Sequence, residues 1–138
     1  MYSVNREDLA WAAGIHCGEG SVTALKSIKS NGKIWQGVTL KITQACYDGT
    51  EDCPEMLIRL QRIFGFGHNY KNCRARGNRR PTWTWETGRF EYVQAAIALM
   101  WNWLTPEKKN QAERRLKEAL ASVPANKRRR SGPKKDKI

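Results

Sequence analysis

Twice along this chain a run with helical spacing ends at a pair of glycines, and the residues behind it switch to a period of two. The double switch constrains the fold strongly, because residues three or four apart share a helix face while alternate residues share a strand face. The first run opens at Ser3 or Asn5, either able to cap a helix, with Glu7 and Asp8 complementing the dipole in the first turn. Leu9, Trp11, Ala12, Ala13 and Ile15 form its apolar body, and Gly18-Glu19-Gly20 is expected to stop it. From Ser21 a strand leads through the turn sequence Ser30-Asn31-Gly32-Lys33 into a second strand. There Val38, Leu40 and Ile42 alternate with Gly37, Thr39, Lys41 and Thr43. The facing of the first strand stays open, since Lys26 shares the parity of Val22 and Ile28.

The second cycle repeats the pattern. After a polar loop from Asp48 to Asp52, Pro54 suits a first helical position, and Met56, Leu57, Leu60, Ile63 and Phe64 follow at helical spacing. Gly65 and Gly67 close this helix, and a hairpin from His68 to about Thr87 is expected to turn near Gly77-Asn78. Phe90 to about Val123 reads as helix, broken near Thr105-Pro106 because proline lacks the ladder N–H. The order predicts an α+β fold: a four-stranded antiparallel sheet with helices on one face. Val38, Leu40, Ile42, Trp83 and Trp85 would form its inner face. Trp35, Thr39, Lys41, Thr84 and the arginines would form the outer one.

Charge points to a partner. The 138 residues carry a net charge of +12, of which the stretch from Asn126 to Ile138 contributes +6. That stretch is poor in apolar residues, so the chain divides into a domain over 1–124 and a basic, disordered tail over 125–138. In the domain, Lys26, Lys29, Lys33 and Lys41 fall in an acid-free segment, and so do Lys71, Arg74, Arg76, Arg79 and Arg80. Segregation of this kind makes one basic face, the footprint of a polyanion binder, where a solubility-promoting face would mix both signs. Gln94 and Asn102 interrupt the longest apolar stretch, Tyr92 to Leu104, and Arg6, Glu7 and Asp8 argue against a secretory signal. An intracellular protein with no membrane partner and no small-molecule substrate is expected. Cys17, Cys46, Cys53 and Cys73 include no C-x-x-C pair, which favours reduced structural thiols over zinc.

The segment Ala12-Ala13-Gly14-Ile15-His16-Cys17-Gly18-Glu19-Gly20 carries the chemistry. Small residues let two helices approach closely. An acid at a helix C-terminus opposes the macrodipole, which signals a use beyond the helix. Carboxylate oxygens suit Mg²⁺, and glycine neighbours leave room for phosphate. The plain alternative is an ordinary helix end with glycine stops.

This segment, continuing into Ser21-Val22, resembles the LAGLIDADG motif of the homing endonucleases. Thr43-Gln44 resembles the family's strand-terminal glutamine, Leu57 to Gly67 its second helix, and Leu104 to Ala112 its lysine-containing helix start. Coverage runs from about Leu9 to Leu120, in the family's αββαββα order.

The resemblance implies a metal-dependent endonuclease cutting both strands of a long DNA site across the minor groove. It implies that Glu19 binds Mg²⁺ or Mn²⁺, with the Gly18 carbonyl as a further ligand. Gln44 would position water, and Lys108 would stabilise charge at the scissile phosphate. A single motif implies half an active site, completed in a homodimer through Ala12, Ala13, Gly14, His16 and Cys17 on near-palindromic DNA. DNA contacts are expected from Lys29, Lys33, Trp35, Thr39, Lys41, Tyr70, Lys71, Arg74, Arg76, Arg79, Arg80 and Thr84. Intron or intein mobility goes with such enzymes.

Two departures stand in the motif. Cys17 replaces its earlier acid, which is not the metal ligand in the family, and His16 replaces an aliphatic residue. A catalytically inactive DNA-binding regulator or an intron RNA maturase of the same fold is the alternative reading. An unrelated small basic protein is a third, and it would not need Glu19, Gln44 and Lys108 together.

Overall fold

Helices and strands alternate in the expected order. The computed structural model describes residues 4–28, 30–32, 34–47, 49–73 and 80–121. Helix α1 (Arg6–Glu19) passes directly into β1 (Gly20–Ile28), which turns back as β2 (Ile34–Ala45). Helix α2 (Glu55–Phe64) leads to β3 (His68–Cys73) and β4 (Thr82–Thr87). Helix α3 (Phe90–Met100), a 3-10 turn (Trp101–Trp103) and α4 (Pro106–Ala121) complete the described chain.

The termini follow from local chemistry. Asn5 caps α1, its side-chain oxygen accepting from the Asp8 amide at 2.7 Å. Gly65 ends α2 in the left-handed region at φ 72°, where a side chain would be strained. Three sequence expectations shift. Pro54 is the residue before α2 rather than its first, and its fixed φ of −59° serves that extended position as well. Gly18 lies inside α1 instead of stopping it, and Gly20 is extended at φ −100°, so the helix feeds a strand without a left-handed cap. The break in the last helical run begins at Trp101, ahead of Pro106, which opens α4 where its missing N–H has no helical partner to lose.

The four strands form one antiparallel sheet in the order β1-β2-β4-β3, so the two hairpins join through β2 and β4. Val22, Val38, Leu40, Ile42 and Trp85 are buried on the face covered by the helices. They meet Leu9, Ala12 and Ala13 of α1, Leu57, Leu60 and Ile63 of α2, and Val93, Ala96, Ile97 and Met100 of α3. Trp83 is only half-buried at the margin of this face, its indole N–H donating to the Glu51 carbonyl at 3.0 Å. Trp85 is fully enclosed, and its N–H donates to Gln61 Oε1 at 3.0 Å. The open parity question is answered unevenly along β1: Val22 is 1 % exposed, whereas Ile28, on the same face, is 77 % exposed. The first hairpin therefore runs beyond the helices that cover its base.

β1 is an edge strand, and α4 covers the start of its free edge. Lys108 Nζ donates to the Gly20 carbonyl, and Gln111 Oε1 accepts from the Val22 amide at 3.1 Å. Groups that would otherwise offer a template for another strand are thereby occupied.

Candidate endonuclease site

The helix-to-strand junction collects the chemistry. Along α1, Leu9, Ala12, Ala13 and His16 turn into the core, while Gly14, Gly18 and Glu19 are exposed. A Cβ built on Gly14 or Gly18 meets nothing within 4 Å, so this face is bare. Gly20 is different. A Cβ there would collide with His16 Nδ1, so glycine is required because the imidazole ring packs against this backbone. The same residue's carbonyl holds Lys108, which puts the ammonium of α4 one residue from Glu19. Among the described residues the Glu19 carboxylate has no hydrogen-bond or ion-pair partner. Gln44 sits on the helix-side face of β2, two residues beyond Ile42, the partner of Gly20 across the β1–β2 ladder. Glu19, Lys108 and Gln44 thus belong to one end of the sheet.

His16 is fully buried with neither ring nitrogen hydrogen-bonded. Desolvation first, and then the positive charge of Lys108, lower its pKa from 6.5 to about 4, so the ring is neutral at physiological pH. It acts as packing against Gly20.

The opposite face of the sheet is polar. One cross-strand row joins Ser21, Lys41, Glu86 and His68 from all four strands. The adjacent row carries Thr43, Thr84 and Tyr70, with the two threonine hydroxyls 2.8 Å apart. Lys41 Nζ lies 3.5 Å from one oxygen of Glu86, and His68 Nε2 lies 3.9 Å from the other.

No family model matches the sequence, and no curated protein matches it. Solved structures do. The homing endonuclease I-CvuI in complex with its target superposes with a TM-score of 0.65 at 20 % identity, covering 89 % of this chain and 73 % of that one. The meganuclease I-SmaMI bound to uncleavable DNA gives 0.67 at 22 % identity over 90 % of this chain, which spans 40 % of that one. The group I intron-encoded homing endonuclease I-CeuI complexed with DNA gives 0.62 at 14 % identity, over 88 % and 56 % of the two chains. The chain has the LAGLIDADG homing endonuclease fold.

On that fold the expected residues fall unequally. Lys41 and Tyr70 are half-buried on the outer face of the sheet. Thr39 and Thr84 share that face but are 1 % and 2 % exposed, which removes them as direct DNA contacts. They stand on the two central strands, where a short side chain is shaded from both sides. Lys71 points the other way, with Trp83, and pairs with Glu51 at 3.3 Å, so it does not belong to the outer face. Arg80 is exposed just before β4. Lys29, Lys33, Arg74, Arg76, Arg79, the second hairpin's turn and the basic tail lie outside the described residues, as does the side chain of Trp35.

The expected dimer surface is corrected as well. Ala12, Ala13 and His16 are enclosed by their own chain and offer nothing to a partner, whereas Gly14, Gly18 and half-buried Cys17 remain accessible. Small size alone did not distinguish the two faces; their angular positions on the helix did. Sequence reasoning also missed Gln111 as an anchor of β1, and Glu86. Glu86 was detectable, being the single acid in the four strands. Cys17, Cys46 and Cys53 are free thiols. Among the described residues no helix is long and apolar enough to cross a membrane.

Proposed function

We propose that this chain is a divalent-metal-dependent DNA endonuclease that cuts both strands of a near-palindromic site as a homodimer. The observation that carries the reading is the Glu19 carboxylate: exposed, without a partner among the described residues, at the end of α1 and one residue from the carbonyl that holds Lys108. An acid in that position, on a fold that I-CvuI and I-SmaMI show in complex with DNA, has a use in its charge rather than in folding.

The residues fit a hard cation. Glu19 supplies one free carboxylate, and a Cβ built on the neighbouring Gly18 would meet no atom within 4 Å. No group of three or more His, Cys, Asp or Glu side chains is assembled among the described residues, which suits Mg²⁺ or Mn²⁺ more than zinc. Such ions keep several waters and accept one or two carboxylates. A divalent ion held by Glu19 and the Gly18 carbonyl would supply an activated water and stabilise the leaving oxygen. The chain's own residues do the rest. Lys108 neutralises charge developing on the phosphate, and Gln44 orients water by hydrogen bonding. His16, neutral and close-packed, keeps Gly20 and therefore Lys108 in register with Glu19.

A single chain offers one such carboxylate, and two scissile phosphates need two. Gly14 and Gly18 let two copies of α1 approach along a two-fold axis, and an isologous pair of this kind reads a palindrome. The intervening DNA meets the outer face of both sheets, where Lys41 and Tyr70 reach base edges and the two basic segments contact phosphate. Residence in an intron or intein accords with such an enzyme.

The decisive experiment is Glu19→Gln, which keeps shape and removes charge. Double-strand cleavage of a selected site with Mg²⁺ should fall by about a thousandfold or more, given the several kcal/mol a catalytic metal supplies, while DNA binding is retained. A variant that cuts at the wild-type rate removes Glu19 from the mechanism. A wild type that binds its site and cuts neither strand makes the chain a regulator of the same fold.

A further inference from the structure

The single acid in the four strands sits on the face that the proposed function gives to DNA. Glu86 shares a cross-strand row with Lys41 and His68, and its side chain is 21 % exposed. A carboxylate aimed at phosphates would only repel them, so its place on such a face calls for a different contact. Fastening the sheet is a weak explanation. Partly exposed ion pairs contribute little to stability. Moreover, separations of 3.5 Å to Lys41 and 3.9 Å to His68 exceed the roughly 2.8 Å of a full charge-assisted hydrogen bond. Both carboxylate oxygens therefore keep acceptor capacity, while Lys41 and His68 flank the group on either side.

We propose that Lys41 and Glu86 together read one G·C base pair in each half-site, through the major groove. This rests on the DNA-binding reading above and names what one part of that surface recognises. In the major groove guanine presents the acceptors N7 and O6, and cytosine presents the donor N4. The O6 and N4 atoms are themselves hydrogen-bonded, about 2.9 Å apart. A lysine ammonium 3.5 Å from a carboxylate oxygen presents the complementary donor and acceptor at nearly that spacing. Lys41 donates to guanine O6 or N7, and Glu86 accepts from cytosine N4. An A·T pair puts its groove-side donor on the purine and fails against the same pair of side chains. The reversed T·A pair offers O4 and N6 in the same order as O6 and N4, but there the thymine methyl group stands where guanine offers N7 to Lys41. His68 positions Glu86 from the far side and leaves the oxygen nearer Lys41 for the base.

The test begins with selection of sites by the wild-type protein from a sequence-randomised duplex library. The expected site holds a G·C pair at one symmetric position in each half, preferred by about tenfold or more over other pairs. Glu86→Gln and Lys41→Met should each erase that preference and leave the other positions unchanged. Independently of any variant's folding, N4-methylcytosine at that position should weaken wild-type binding by about tenfold, because it covers the groove-side N–H while preserving base pairing. A wild type indifferent to the methyl group overturns the inference, as does a Glu86→Gln site profile identical to wild type at every position. Both results leave the DNA-binding reading standing. Failure to enrich any duplex overturns that reading and this inference with it.

Discussion

The two faces of α1 are built from similar residues and do opposite things. One presents Leu9, Ala12, Ala13 and His16 to the core, where each is closed in by the chain itself. The other presents Gly14 and Gly18, where an added methyl group would find no atom within 4 Å. Alanine on the first face is small because the sheet and α3 lie against it. Glycine on the second is small with nothing among the described residues to demand it, although glycine inside a helix is destabilising by about 1 kcal/mol relative to alanine. A small residue inside a fold thus reports packing, whereas the space around Gly14 and Gly18 leaves their size unexplained by packing among the described residues.

The contrast is easiest to break with bulk. Ala13→Trp should destabilise by more than about 3 kcal/mol, because there is no volume for an indole on the closed face, and urea titration should show the native transition lost or strongly shifted. Retention of wild-type stability would put Ala13 on the wrong face.

The buried histidine of the closed face gives the next effect. His16 titrates at about 4 in the folded chain against 6.5 when unfolded, so between those values the unfolded state binds more protons. Stability is fully present above about pH 6.5 and falls as pH drops towards 4, by up to about 3 kcal/mol. Denaturation of metal-free protein across that window should show this slope, and His16→Val should flatten it. An unchanged slope in the variant would assign the dependence to other groups.

On the open face bulk should act in the reverse sense. Gly14→Leu should raise the stability of the single chain by up to about 1 kcal/mol through helix propensity. It should also yield a monomer by sedimentation and abolish double-strand cutting. A dimer that survives this substitution moves the interface away from α1.

The smallest effect concerns the flank between the two faces. Arg59 of α2 reaches across to α1, stacking 4.0 Å over the Trp11 ring and pairing with Asp8 at 3.1 Å. Because both charged groups are part-exposed, Arg59→Ala should lower stability by only about 1 kcal/mol and leave the oligomeric state unchanged. A larger loss, or a monomer, would make this contact part of the interface instead of a brace behind it.

Much of the fold was legible because periodicity and glycine pairs are local signals. The helix order, both hairpins and the inner residues Val38, Leu40, Ile42 and Trp85 follow from them and agree with the structure. Lys71 was misplaced because a charged residue in a basic segment says nothing about facing; its parity, opposite to Tyr70, and the nearby Glu51 decide that. Thr39 and Thr84 lie on the expected face, but their burial was not legible because exposure depends on strand order, and β2 and β4 are central only once the two hairpins join.

By itself, then, the sequence determined the order of the helices and strands, the inner face of β2 and which acid ends α1. Those are matters of neighbouring residues, caps and short-range sterics. Only the tertiary structure decided that Gly20 must be glycine because His16 packs on it, that Lys108 and Gln111 of α4 bind the edge of β1 from far along the chain, and that Glu86 stands between Lys41 and His68. Such contacts join segments distant in sequence, and their geometry exists only after the sheet has twisted and the helices have closed over it.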